Sequence, residues 1–96
     1  MNGFIIIPNS LINEGTLSHG AILLLGFLYS NSKQLGYSYA TNKHYANMIG
    51  CSARTITYLI KELNDNNYIR IENPNSFKRR IYVSYKFPSS KKKIYI

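Results

Sequence analysis

Between Ser52 and Asn66 the apolar residues fall at Ile56, Leu59, Ile60 and Leu63, the three-and-four spacing of one helical face. Counting from residue 54 at ~100° per residue, these four sit at about 200°, 140°, 240° and 180°. Arg54, Thr57, Tyr58 and Lys61 sit at about 0°, 300°, 40° and 340°, so the two stripes lie roughly 160° apart. One face can pack a core while the other offers donors, hydroxyls and an aromatic ring. Ser52 can cap this helix, predicted from 53 to about 66, and Asn67 suits a left-handed residue just beyond it. Upstream, Thr41 can cap a shorter helix, Asn42–Ile49, which stops at Gly50.

A third helix is predicted over His19–Asn31 with Ser18 as its cap. Its apolar residues, Ala21 to Leu25 and Phe27 to Tyr29, wrap most of the circumference. Such a helix needs cover on more than one side, and a symmetric dimer through Ile22, Leu23 and Phe27 is expected to supply it. Residues 4–7 read as a short strand stopped by Pro8, followed by a polar stretch to Gly15. Residues 31–36 read as a loop and 37–39 as a very short strand. The alternating residues 68–71 and 81–87 flank the turn-rich Asn73, Pro74, Asn75 and Ser76, a hairpin pattern.

Charge changes the picture from fold to partner. The chain has 96 residues with 12 Lys+Arg against 4 Asp+Glu, a net charge of +8. Nearly all of that excess lies beyond residue 50, which points to a polyanionic partner. The length allows one domain, and 45% hydrophobic residues can fill its core. Cys51, His19 and His44 are the only soft ligands, too few for a structural zinc site. No apolar run approaches the ~20 residues of a membrane span. The two His, one Asp and three Glu form no nucleophile–base pattern, and there is no Gly-rich phosphate loop. The chain is therefore expected to be no enzyme, with no cofactor, no metal, no small-molecule substrate and no membrane.

The two helices joined through Gly50 and Cys51 form a helix-turn-helix candidate. On the outward face of the second, Arg54 can pair with guanine, Thr57 can touch a thymine methyl and Lys61 can reach phosphate. The free N–H groups at Ser52 favour an adjacent phosphate. Lys78, Arg79 and Arg80, at the second bend of the hairpin, can track a DNA backbone or enter the minor groove. Thr41, Lys43, His44 and the run Lys91, Lys92, Lys93 are further candidates for phosphate contact.

These stretches resemble a winged helix-turn-helix domain, an α+β fold of about three helices with a C-terminal β-hairpin wing and a short extra strand. More narrowly, residues 4–87 resemble the N-terminal domains of replication initiators from plasmids and phages of Gram-positive bacteria. Three stretches carry the likeness: residues 4–8, residues 17–28, and residues 41–56 continuing to Glu62, Leu63, Tyr68 and Ile69. The size and charge also fit small centromere-binding adaptors of plasmid and phage partition. The resemblance implies that Ser52, Ala53, Arg54, Thr55, Thr57, Tyr58 and Lys61 belong to the recognition helix, and Lys78 to Arg80 to the wing. Two departures stand out: Asn67 where such domains commonly have Gly, and a chain that stops where an initiator usually continues.

The expected organisation is one domain, residues 1–87, with a basic and then apolar tail, residues 88–96. The expected function is sequence-specific binding of double-stranded DNA by a homodimer in the bacterial cytoplasm, serving plasmid or phage maintenance alongside a replication or partition protein. The alternatives are a transcriptional repressor, and a winged-helix protein–protein interaction module that binds no DNA.

Overall fold

The computed structural model describes residues 6–85 and 93–95. In chain order they form β1 (Ile6–Pro8), α1 (Asn9–Glu14), α2 (His19–Asn31), α3 (Asn42–Ile49), α4 (Ala53–Asp65), β2 (Ile69–Glu72), β3 (Arg80–Val83) and β4 (Lys93–Tyr95). This is the α+β winged helix-turn-helix architecture that the sequence predicts, with one helix more.

The helix with apolar residues all round becomes the centre of the molecule. Ala21, Leu24, Leu25 and Leu28 of α2 are wholly buried, with α4, α3, β3, β1 and α1 packed about it. The cover that seemed to require a second subunit comes from the same chain. Ile22 is 3% exposed and Phe27 9%, and Leu23 is only half-buried, so these side chains do not form the open dimer face expected of them. The reason is α1, six residues long, in a stretch that reads as polar: its Leu11 is buried and, with Leu17, joins the core beside Ile7. One buried leucine in a single turn and a half shows no helical periodicity, so the sequence hides this element.

α2 and α4 approach closely. A Cβ added at Gly20 would lie 3.3 Å from the Leu59 side chain. The same crossing carries a polar lock. Ser18 caps α2 by accepting from the Ala21 amide at 3.3 Å, and Glu62 of α4 accepts from the Ser18 amide at 2.7 Å and from its hydroxyl at 2.8 Å. A carboxylate is thereby set at the positive end of α2.

The wing is an antiparallel pair, β2 and β3, with Arg70 opposite Tyr82 and Glu72 opposite Arg80. The short strand expected at 37–39 reduces to one bridge, Ser38 to Ile81, closed by two backbone hydrogen bonds of 2.8 and 2.9 Å. It ties the wing to the core, because Ile81 is fully buried and the buried Ser38 hydroxyl hydrogen-bonds the hydroxyl of buried Tyr45. That Tyr45 oxygen also accepts from the Asn31 amide at 2.9 Å.

β3 ends at Val83, earlier than the alternation to 87 implies. The Ser84 and Tyr85 amides both donate to the Tyr68 carbonyl, so two residues face one and the ladder stops. Residues 86–87 lie outside the described residues. A second antiparallel pair joins β1 to β4, with Ile7 opposite Ile94 and Pro8 opposite Lys93. Lys93 is therefore a strand residue by its backbone; Lys91 and Lys92 of the basic run lie outside the described residues, as do residues 4–5.

Candidate nucleic-acid interface

Every turn of the two-helix unit has a chemical cause. The Thr41 hydroxyl accepts from the His44 amide at 3.1 Å to start α3. Gly50 ends it in a left-handed conformation, φ 87°, with its amide bonded to the Ala46 carbonyl at 2.8 Å. Two residues later the Ser52 hydroxyl accepts from the Thr55 amide at 3.1 Å and α4 begins. Buried Ala46 is small enough to let the helices cross.

α4 divides as its periodicity predicts. Ile56, Ile60 and Leu63 are buried and Leu59 is half-buried, whereas Ser52, Ala53, Arg54, Thr55, Thr57, Tyr58 and Lys61 are exposed. The outward groups are partly organised among themselves. Arg54 donates from Nε and Nη2 to the Tyr58 hydroxyl, each at 3.3 Å, one turn along the helix. Lys61 pairs with Asp65 at 2.7 Å, an open ion pair of little strength. Thr41, Lys43 and His44 are exposed at the start of α3, and the His44 ring stands edge-on to that of Tyr45 at 5.3 Å.

The three basic residues of the wing are not equivalent. Lys78 is exposed at the tip, its ammonium 5.9 Å from the centre of the Phe77 ring. Arg80 is exposed too, with its guanidinium stacked 4.5 Å over the Tyr37 ring. Arg79 departs from expectation. It is half-buried and turned inward, donating to the Asn42 side-chain oxygen at 2.7 Å and to the Ala40 carbonyl at 2.9 Å. Its burial also pulls the guanidinium below its ordinary pKa. Residues 37–42 offer it two acceptors, and no reading of the hairpin alone reveals them.

Asn42 is the residue that sequence reasoning passed over. While its oxygen holds Arg79, its amide donates to the Thr57 hydroxyl at 3.1 Å, and Thr57 donates in turn to the Ala53 carbonyl at 3.2 Å. A continuous polar path thus runs from the base of the wing through the start of α3 to the outward face of α4. Its only sequence sign is a polar side chain at the first position of a short helix, which many helices share. A second feature missed is a ladder on the outer face of the wing. Arg80 covers Tyr37, the rings of Tyr37 and Tyr82 lie 5.6 Å apart, and Arg70 covers Tyr82 at 4.1 Å. Glu72 closes it, accepting from Arg70 at 2.9 Å and from the Tyr82 hydroxyl at 3.1 Å. Those contacts, the Arg70 bond first, lower the Glu72 carboxyl below its usual pKa.

Among the described residues no group of three His, Cys, Asp or Glu could hold a metal ion, and no helix is long and apolar enough to cross a membrane. Two capped helices at a glycine turn, one with a donor-rich open face, together with a basic wing, define a helix-turn-helix DNA-binding domain. Comparison with known families agrees: the sequence pattern of a helix-turn-helix domain family matches residues 15–69, and the chain belongs to that family. The match spans α2, α3 and α4 and ends at the first residue of β2. No curated protein and no solved structure matches the chain significantly.

Proposed function

We propose that the protein reads double-stranded DNA by laying α4 in the major groove while the wing follows the neighbouring backbone. The observation that carries this is the division of α4: its apolar stripe is sealed in the core and its opposite face presents Arg54, Thr57, Tyr58 and Lys61 to solvent. Arg54 reads a base edge, the N-terminus at Ser52 receives a phosphate, and Lys43, Lys61, Lys78 and Arg80 neutralise others. Arg79 sets the wing against α3 and takes no phosphate. The biological setting is plasmid or phage DNA maintenance in a bacterial cytoplasm, as replication initiator or centromere-binding adaptor; the likeness of residues 4–87 to initiator domains supports it.

A titration of mixed-sequence duplex DNA tests the binding mode. With about four phosphate contacts, log K should fall against log salt with a slope of about −3.5. On a site selected from random sequence, Arg54→Ala should cost ~1–3 kcal/mol and relax preference at one base pair. Affinity unchanged by salt, or tighter binding to single strands than to duplex, would reject the groove-docking geometry.

A further inference from the structure

Phe77 lies at the tip of the wing with 92% of its surface exposed. It is the most exposed large apolar side chain among the described residues, and its loop is held in place. Asn73 turns the chain with φ 52°, and the Ser76 amide bonds the Asn73 carbonyl at 3.1 Å. The Lys78 amide bonds the Ser76 hydroxyl at 3.0 Å, and the Arg79 amide the Ser76 carbonyl at 3.0 Å. Below the tip, Arg79 clamps the loop to Ala40 and Asn42. A braced loop that holds a phenyl ring in water forgoes the gain of burying it.

The surroundings identify what covers the ring. Residues 73–80 contain no acid and carry Lys78, Arg79 and Arg80, and the carboxylate of Glu72 is already engaged by Arg70 and Tyr82. An apolar tip flanked by the exposed Lys78 and Arg80 suits an anionic partner with an apolar interior, and a DNA duplex is phosphate outside and stacked bases within. The Arg79–Asn42–Thr57 path fixes this tip relative to the outward face of α4.

We propose that Phe77 is a wedge that enters the minor groove beside the site read by α4 and partly unstacks one base step, with Lys78 and Arg80 on the flanking phosphates. This rests on the duplex-binding role proposed above. Pyrimidine–purine steps such as TA, the easiest to open, would be preferred under the tip.

The test uses a mixed-sequence duplex with 2-aminopurine at TA steps and a donor–acceptor dye pair on its ends. The full chain should raise the 2-aminopurine fluorescence on binding and shorten the end-to-end distance. Phe77→Ala, harmless to a fold that does not bury this ring, should abolish both changes and weaken binding about tenfold. Phe77→Leu, still an apolar wedge, should retain most of each. Lys78→Ala should lower the salt slope by about one contact and keep the fluorescence rise. If the wild type binds duplex with no unstacking, or if Phe77→Ala unstacks and binds as well as wild type, the wedge is wrong and duplex recognition stands. If the wild type fails to bind duplex, both proposals fall together.

Discussion

Removing the Glu62 side chain should loosen the crossing of α2 and α4 and leave DNA contact intact. In the native state its carboxylate accepts two hydrogen bonds from Ser18, at 2.7 and 2.8 Å, at the N-terminus of α2. A hydrogen bond to a charged group contributes ~1.5–3 kcal/mol, and Glu62 is half-buried, so the low end of that range applies with further screening. Glu62→Ala should therefore cost about 2 kcal/mol, including the helix-dipole gain of ~0.3–1 kcal/mol. In a domain of this size that lowers Tm by about 8–16 °C. Glu62→Gln keeps one acceptor and should fall about midway. Ser18→Ala should cost ~1 kcal/mol as a lost cap and more through the lost hydroxyl bond to Glu62, while its backbone amide still donates to the carboxylate. Because both substitutions break the hydroxyl–carboxylate bond, the double variant should lose about 1 kcal/mol less than the sum of the two. Urea unfolding followed by far-ultraviolet circular dichroism gives all four free energies. Duplex affinity, measured well below the midpoint, should hold or rise when one of only four acids is removed. A Glu62→Ala protein within ~0.5 kcal/mol of wild type, or strict additivity with Ser18→Ala, would refute the lock.

Phe27→Ala should cost ~3–5 kcal/mol as a core cavity, and the wild-type chain should sediment at 11.0 kDa; a stable wild-type dimer dissociated by this change would restore the two-fold contact through α2. Arg79→Ala should lower Tm and leave the slope of log K against log salt unchanged, whereas Arg80→Ala should leave Tm in place and reduce the slope by about one contact; a slope lowered by Arg79→Ala as much as by Arg80→Ala would show that Arg79 faces phosphate after all. Burial raises the Tyr45 hydroxyl above the ordinary tyrosine pKa of 10.0, outweighing its bonds to Ser38 and Asn31. Unfolded chains then ionise first as pH rises, so the stabilisation is complete below pH 10.0 and is lost above it, through the native pKa. Burial and the nearby Glu14 also raise Tyr68, so ultraviolet titration should show late-titrating tyrosine that falls by one group in Tyr45→Phe, and stability that does not decline above pH 10.0 would count against the burial of Tyr45.

The parts of the molecule legible in the sequence are those whose cause is local. α3 and α4 begin where Thr41 and Ser52 can cap and α3 ends at Gly50, because hydroxyl acceptors and a left-handed glycine act within a few residues. Asn67 takes a positive φ, 64°, a conformation its amide side chain tolerates better than most non-glycine residues. α1 was not legible, because Leu11, fully buried, owes its position to α2 and β1 rather than to a repeat. Nor was the inward turn of Arg79, whose partners Ala40 and Asn42 lie 39 and 37 residues away. Periodicity showed which face of α4 would open outward, but not that Arg54 leans on Tyr58 or that Thr57 is already engaged. All-round apolarity gave the right burial for α2, while much of the cover comes from α1, α3, α4 and β3 of the same chain, which pattern alone does not reveal.

Asn42 uses the two ends of one amide in opposite senses, accepting from Arg79 and donating to Thr57. An aspartate of the same shape could keep the first bond, but the second would require Thr57 to turn its hydroxyl away from the Ala53 carbonyl. The consequence is thermodynamic. In the proposed docking, two elements that swivelled independently would each lose freedom on binding DNA, and that loss would weaken every complex alike. Joined through one side chain, wing and helix arrive already ordered, and the entropy of aligning them is met during folding. The same stiffness limits tolerance: a duplex whose groove spacing departs from the fixed separation of tip and helix must itself deform to be held.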